Sequence, residues 1–177
     1  MSGQAGEPVI FLDVDGPLIP FRARPLGQVI PPTLANDTGN PLLDRINPED
    51  GRRLLELGCG LVWATTWGQE ANEVVSPRLG LPPLPVVEWP DDAEDLARGL
   101  HWKTDALIRW VGGGPFAWID DELTDTDRRW VAAHHPGGAL LRRVDPFQGL
   151  TEEDFAAVRR WLNDEHPART LPVPTFR

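Results

Sequence analysis

Short apolar runs alternate with amphipathic ones along this 177-residue chain. Residues 9–14, 61–66, 85–88, 115–119 and 139–144 are apolar runs mostly bounded by glycine, proline or acids, the pattern of strands buried on both faces. Between them the period changes to a helical one. Residues 48–57 place Leu54, Leu55 and Leu57 ahead of Gly58, a stop signal. Trp102, Ala106, Leu107, Trp110 and Val111 form a stripe closed by "GGG", and 126–133 is a weaker helical pattern. "TEEDF" predicts Thr151 as N-cap with Asp154 three residues on, and Phe155, Val158 and Leu162 share one face of the helix that follows.

Strand and helix repeated in this order predict parallel strands joined by crossovers: an α/β fold, a three-layer α/β/α sandwich around a parallel sheet of about five strands. The length suits a single domain, 1–177. Residues 17–47 are rich in proline, glycine and asparagine and predict a flap and loop rather than a helical cap. "SPRLGLPPLPVVEWP" predicts an extended surface segment around a short strand, and residues 167–177 a proline-rich peripheral arm.

Composition narrows the classes. No apolar run approaches the roughly 20 residues that span a membrane. "MSGQAGEP" has no basic-then-apolar leader, and the single cysteine, Cys59, makes no internal disulfide, so a cytoplasmic protein is expected. A net charge of -10 argues against a general nucleic-acid-binding surface but allows a small phosphorylated substrate held by a local cluster of donors.

The candidate chemistry lies in "VIFLDVDGPL". Residues two apart on an extended chain point to the same side, so Asp13 and Asp15 face one crevice at the end of the first strand. Ligands of parallel α/β sheets bind beyond those carboxyl ends. Asp120 and Asp121 of "WIDDEL" end the fourth predicted strand in the same manner. Neighbouring strands would bring these acids together, and a hard divalent cation with oxygen ligands relieves their repulsion. Asp-Gly after a strand is also ordinary turn chemistry, and Asp120 and Asp121 also suit a helix cap.

What separates the two readings is the conjunction of motifs, which resembles the haloacid dehalogenase superfamily over most of the chain. Its strand followed by DxDGx[TL] is here "DVDGPL". Its hydrophobic strand ending in Ser or Thr is "LVWATT", its basic residue at a later helix start is Lys103 in "HWKTD", and its acidic pair after a strand is "WIDDEL". The resemblance implies a Rossmann-like fold and magnesium-dependent phosphoryl chemistry. Asp13 would be the nucleophile and a metal ligand. Asp15 would act as acid and then base, its backbone carbonyl on the metal. Lys103 and a hydroxyl of Thr65 or Thr66 would bind the phosphoryl oxygens, and Asp120 and Asp121 would hold the metal directly or through water. Halide-displacing members lack the second aspartate, so hydrolysis of a phosphate monoester is favoured, through an aspartyl-phosphate. A phosphotransferase, or an idle binding protein on the same fold, is the alternative.

Lys103 is the only lysine beside sixteen arginines. Arg22 and Arg24 lie in the flap and could meet an anionic substrate, although arginines are usually solvated surface residues. Of eight tryptophans, Trp63, Trp102, Trp110 and Trp118 suit the core, whereas Trp67 follows the threonine motif and belongs near the site. The four histidines show no metal-ligand spacing; His134 and His135 suit solvated positions at a helix end, and Cys59 reads as a small buried hydrophobe.

Overall fold

The computed structural model describes residues 6–22, 39–90 and 99–165. Segments 23–38 and 166–177, which hold Arg24 and the expected C-terminal arm, lie outside the described residues, as does 91–98. Four strands, β1 (Val9–Leu12), β2 (Gly60–Trp63), β3 (Phe116–Asp120) and β4 (Ala139–Arg143), form a parallel sheet in the order β2-β1-β3-β4. The alternation of side chains divides the core in two. Ile10, Leu12, Trp63, Ala117 and Ile119 face one layer, and Phe11, Val62, Phe116, Trp118 and Leu141 the other.

Helices α1 (Pro48–Glu56), α2 (Ser76–Leu79) and α5 (Glu152–Glu165) cover the first face through Leu54, Leu79, Phe155, Val158 and Leu162. Helices α3 (Thr104–Val111) and α4 (Asp125–His134) cover the second through Leu107 and Val131. The result is the expected three-layer α/β/α sandwich. Local signals set the helix ends. Asn47 accepts from the Glu49 N–H at 3.2 Å with Pro48 behind it, and Thr151 donates its hydroxyl and N–H to Asp154 Oδ2, both at 2.8 Å.

Three expectations need correction. The run 85–88 supplies only a bridge, Trp63 to Val86, with bonds from Trp63 N–H to Pro85 O (2.8 Å) and Val87 N–H to Trp63 O (2.9 Å). Pro82, Pro83 and Pro85 lack the donors that would extend it into a strand. The segment expected to be extended from Ser76 instead opens as helix. A π-helical turn, Ala71–Val75, runs into α2, where Pro77 occupies an early position that needs no N–H and Gly80 closes the helix in the left-handed region. The third concerns side chains: Trp110 is 42 % exposed although its ring meets Phe11 edge-on, Cys59 is half-buried, and His135 is buried with Nε2 on the Gly114 carbonyl at 2.9 Å.

The first layer is closely packed where α1 crosses α2. A Cβ on Gly51 would lie 1.8 Å from the Leu79 carbonyl oxygen, which is backbone and cannot rotate away. Gly51→Ala should therefore lower stability by about 1–3 kcal/mol despite alanine's better helix propensity. A denaturant midpoint at or above wild type would show that the two helices separate freely.

Candidate active site

Beyond Leu12 the chain leaves the ladder but stays beside it, the Asp13 N–H donating to Ile119 O at 3.1 Å. A tight turn follows, in which the N–H groups of Leu18 and Ile19 both donate to Val14 O and Gly16 N–H donates to Ile19 O. Gly16 has φ +95°, and a Cβ there would lie 2.7 Å from Asp121 Cγ. The glycine of "DVDG" thus meets a conformational and a steric demand at once, letting the first acidic loop close against the second.

The carboxylates of Asp13, Asp120 and Asp121 each place an oxygen within 4.8 Å of the others. Lys103, at the start of α3, enters from the side. Its Nζ lies 3.1 Å from Asp13 Oδ1 and 2.8 Å from Asp120 Oδ2. All three residues are deep: Asp13 is 8 % exposed, Lys103 3 % and Asp120 0 %. Asp120 also accepts from Trp118 Nε1 (3.3 Å), two residues back on the same side of β3, and from the Glu122 N–H (3.0 Å). Trp118 is core, as expected, yet it also touches the site.

Burial pushes the Asp13 carboxyl up to about 7, Lys103 opposing and the Asp120 charge adding to the rise. Asp121 is raised for the same two reasons, burial first and Asp120 next. Burial alone would lower Lys103, but Asp13 and Asp120 override it and hold the ammonium above its usual value. Three carboxylates against one ammonium leave an excess of negative charge on hard oxygen donors. That donor set fits magnesium, with Asp13, Asp120 and Asp121 as the side chains that would hold it.

A pH dependence follows. With Asp13 raised from 3.8 to about 7 in the folded protein, the folded state binds the proton more tightly than the unfolded chain. The stability contributed by that proton is complete below the unfolded value and is lost as pH rises through about 7. In chelator, Asp13→Asn should therefore gain melting temperature relative to wild type across this window, and magnesium should recover the wild-type loss. A difference between the two proteins that stays flat with pH would contradict the raised carboxyl.

The remaining predicted residues separate. Thr65 is fully buried at the end of β2, whereas Thr66 is exposed. Thr65 Oγ1 accepts from the Trp67 N–H at 3.2 Å, leaving its own proton to donate. The Asp15 carboxylate is not one of the three clustered carboxylates, and its Oδ2 accepts from Trp67 Nε1 at 3.0 Å. Arg22 is exposed, its guanidinium 5.8 Å above the Phe147 ring.

Several contacts had no signal in the sequence. The ring of Trp102, half-buried rather than in the core, lies 5.4 Å from Lys103 Nζ, and that of Trp89 lies 5.9 Å away. The buried Asp127 joins the Lys103 turn to the loop after β3. Its Oδ1 accepts from His101 N–H (2.7 Å) and Thr104 Oγ1 (3.1 Å), its Oδ2 from Thr124 N–H (2.9 Å) and Oγ1 (2.7 Å). Burial would raise this carboxyl, but those bonds hold it below its usual value.

His101 approaches Asp120 and Glu122 closely enough to suggest a second metal site, which the histidine spacing did not foretell. Its Nδ1 accepts from the Lys103 N–H at 3.2 Å, so the ring proton sits on Nε2, facing Glu122 at 3.2 Å. A ring in this tautomer donates there and does not ligate.

The family model for the HAD domain in Swiss Army Knife RNA repair proteins matches residues 9–155, from β1 into α5. The chain belongs to this HAD family. No curated protein and no solved structure gives a significant match. Membership makes the chain a HAD-type enzyme of the hydrolase and phosphatase kind. The acids, threonines and lysine singled out in the sequence lie at the carboxyl ends of β1, β2 and β3 and at the start of α3. Among the described residues no helix is long and apolar enough to cross a membrane.

Proposed function

We propose that the protein hydrolyses a phosphate monoester, with magnesium, through a phosphoryl group carried transiently on Asp13. The observation that carries this reading is the ammonium of Lys103 between Asp13 and Asp120, at 3.1 and 2.8 Å, beside a third carboxylate at the strand ends. An Asp13 oxygen attacks phosphorus as the bond to the leaving oxygen breaks, and Asp15 gives that oxygen its proton. Asp15 then takes a proton from the water that attacks phosphorus and frees Asp13. Lys103 and the Thr65 hydroxyl neutralise and orient the phosphoryl oxygens throughout. Bound magnesium would supply further charge neutralisation.

The matched family's description names RNA repair, and on that ground we propose an RNA-end phosphate as the substrate. The net charge of -10 supports recognition of the terminus rather than of a long stretch of backbone. The test is phosphate release from an aryl phosphate, from phosphorylated metabolites and from RNA oligonucleotides bearing a terminal phosphate, in magnesium and in chelator. Release in magnesium and silence in chelator are expected, with the RNA ends turned over most efficiently. Full activity in excess chelator would contradict the metal. Metabolites outcompeting RNA ends would overturn the substrate class alone.

A further inference from the structure

Trp67 joins two motifs that the sheet alone does not join. Its backbone N–H is held by Thr65 Oγ1 at 3.2 Å, and its ring packs, partly buried, against the core cluster that contains Leu12 and Trp63. From that anchored position the indole Nε1–H reaches across 52 residues of sequence to Asp15 Oδ2 at 3.0 Å. Asp15 itself is half-buried at the turn, and its carboxylate lies outside the cluster formed by Asp13, Asp120 and Asp121. Among the described residues, the indole is the only side chain that bonds this carboxylate.

We infer that Trp67 is a positioning residue for Asp15, fixing which carboxylate oxygen faces the leaving group. The inference rests on the phosphatase reading above. An indole nitrogen only donates, so Oδ2 is committed to accepting and Oδ1 is left to carry the proton that moves. In the first step the P–O bond to the leaving group breaks as the Asp13–phosphorus bond forms, and the Oδ1 proton passes to the leaving oxygen, releasing an alcohol. In the second step a water oxygen bonds to phosphorus, its proton returns to Oδ1, and the Asp13–phosphorus bond breaks to release phosphate. A carboxylate free to rotate would present either oxygen. Threonine, tryptophan and acid thus form one relay in which the group that binds the phosphoryl oxygens also sets the orientation of the acid.

Leaving-group dependence tests this directly, because proton donation matters most when the leaving oxygen is a poor anion. A simple alkyl phosphate needs the acid, whereas para-nitrophenyl phosphate, whose leaving group is stable as an anion, needs it little. Trp67→Phe keeps the ring and removes the donor. Its loss of kcat/KM on the alkyl ester should exceed its loss on the aryl ester by about tenfold, the scale of one lost hydrogen bond. A merely structural defect would lower both equally, and an unchanged ratio in an active protein overturns the inference while leaving the phosphatase reading intact. Wild-type inactivity on both esters would sink the two together. Independently of turnover, the Trp67 indole N–H resonance, identified by its absence in Trp67→Phe, should move in Asp15→Ala; a resonance that stays in place overturns the assignment.

Discussion

Asp13→Asn should abolish turnover while leaving a folded protein. The amide has nearly the shape of the carboxylate but is a poor nucleophile, and each neighbouring acid is otherwise engaged, Asp121 as a side chain that would hold the metal. Asp120 is committed to Lys103, Trp118 and the Glu122 N–H, and Asp15 is turned toward Trp67. Loss of a nucleophile from a concerted constellation costs roughly a thousandfold or more in kcat. Stability should hold or rise in the metal-free protein at neutral pH, because the substitution removes a buried carboxyl that would otherwise ionise beside Asp120. Steady-state rates on a generic aryl phosphate check the first effect, and thermal melts in chelator the second. Wild-type turnover in the purified variant would end the covalent reading.

Lys103→Ala should lower turnover by about a hundredfold or more, the scale of removing one charge-stabilising donor from a water-poor site. Unlike Asp13→Asn, it should also destabilise the protein. Sequence reasoning alone suggests that this site cation can be removed with little loss of stability, but Lys103 is 3 % exposed, with its ammonium between two buried carboxylates. Removing one partner of a buried pair typically costs about 3 kcal/mol, softened here by proton uptake at Asp13 as its carboxyl loses the opposing charge. Lys103→Arg should retain partial activity. Its larger planar head must fit a slot walled by Trp89 and Trp102, so it keeps the charge but not the point contact. An alanine variant that turns over and melts like wild type would show that Lys103 is not the site's cation.

Much of this site was legible because its signals are local. The period of two places Asp13 and Asp15 at a strand end, the acidic pair closes another strand, and a lone lysine among arginines marks a helix start. What stayed hidden depends on pairs distant in sequence. Trp67 meets Asp15 across 52 residues, and His101 meets Asp127 across 26. Extended spacing put Asp15 beside Asp13 but held no sign of its indole partner, which meets its carboxylate outside the cluster of Asp13, Asp120 and Asp121. The fold was read more completely than its edges. Four strands announce themselves by apolar runs, although the edge strand β4 buries only Leu141, whereas prolines reduce residues 85–88 to a bridge on Trp63 that hydrophobicity alone does not distinguish from a strand.

The central claim is that phosphorus is displaced twice, first by Asp13 and then by water. Each in-line displacement inverts phosphorus, so two restore the starting configuration. The measurement that tests this most directly is the stereochemical course with an isotopically chiral phosphate monoester, which needs no intermediate to accumulate. Overall retention is the result expected. Overall inversion would mean that water attacks the ester in a single step and would contradict the account.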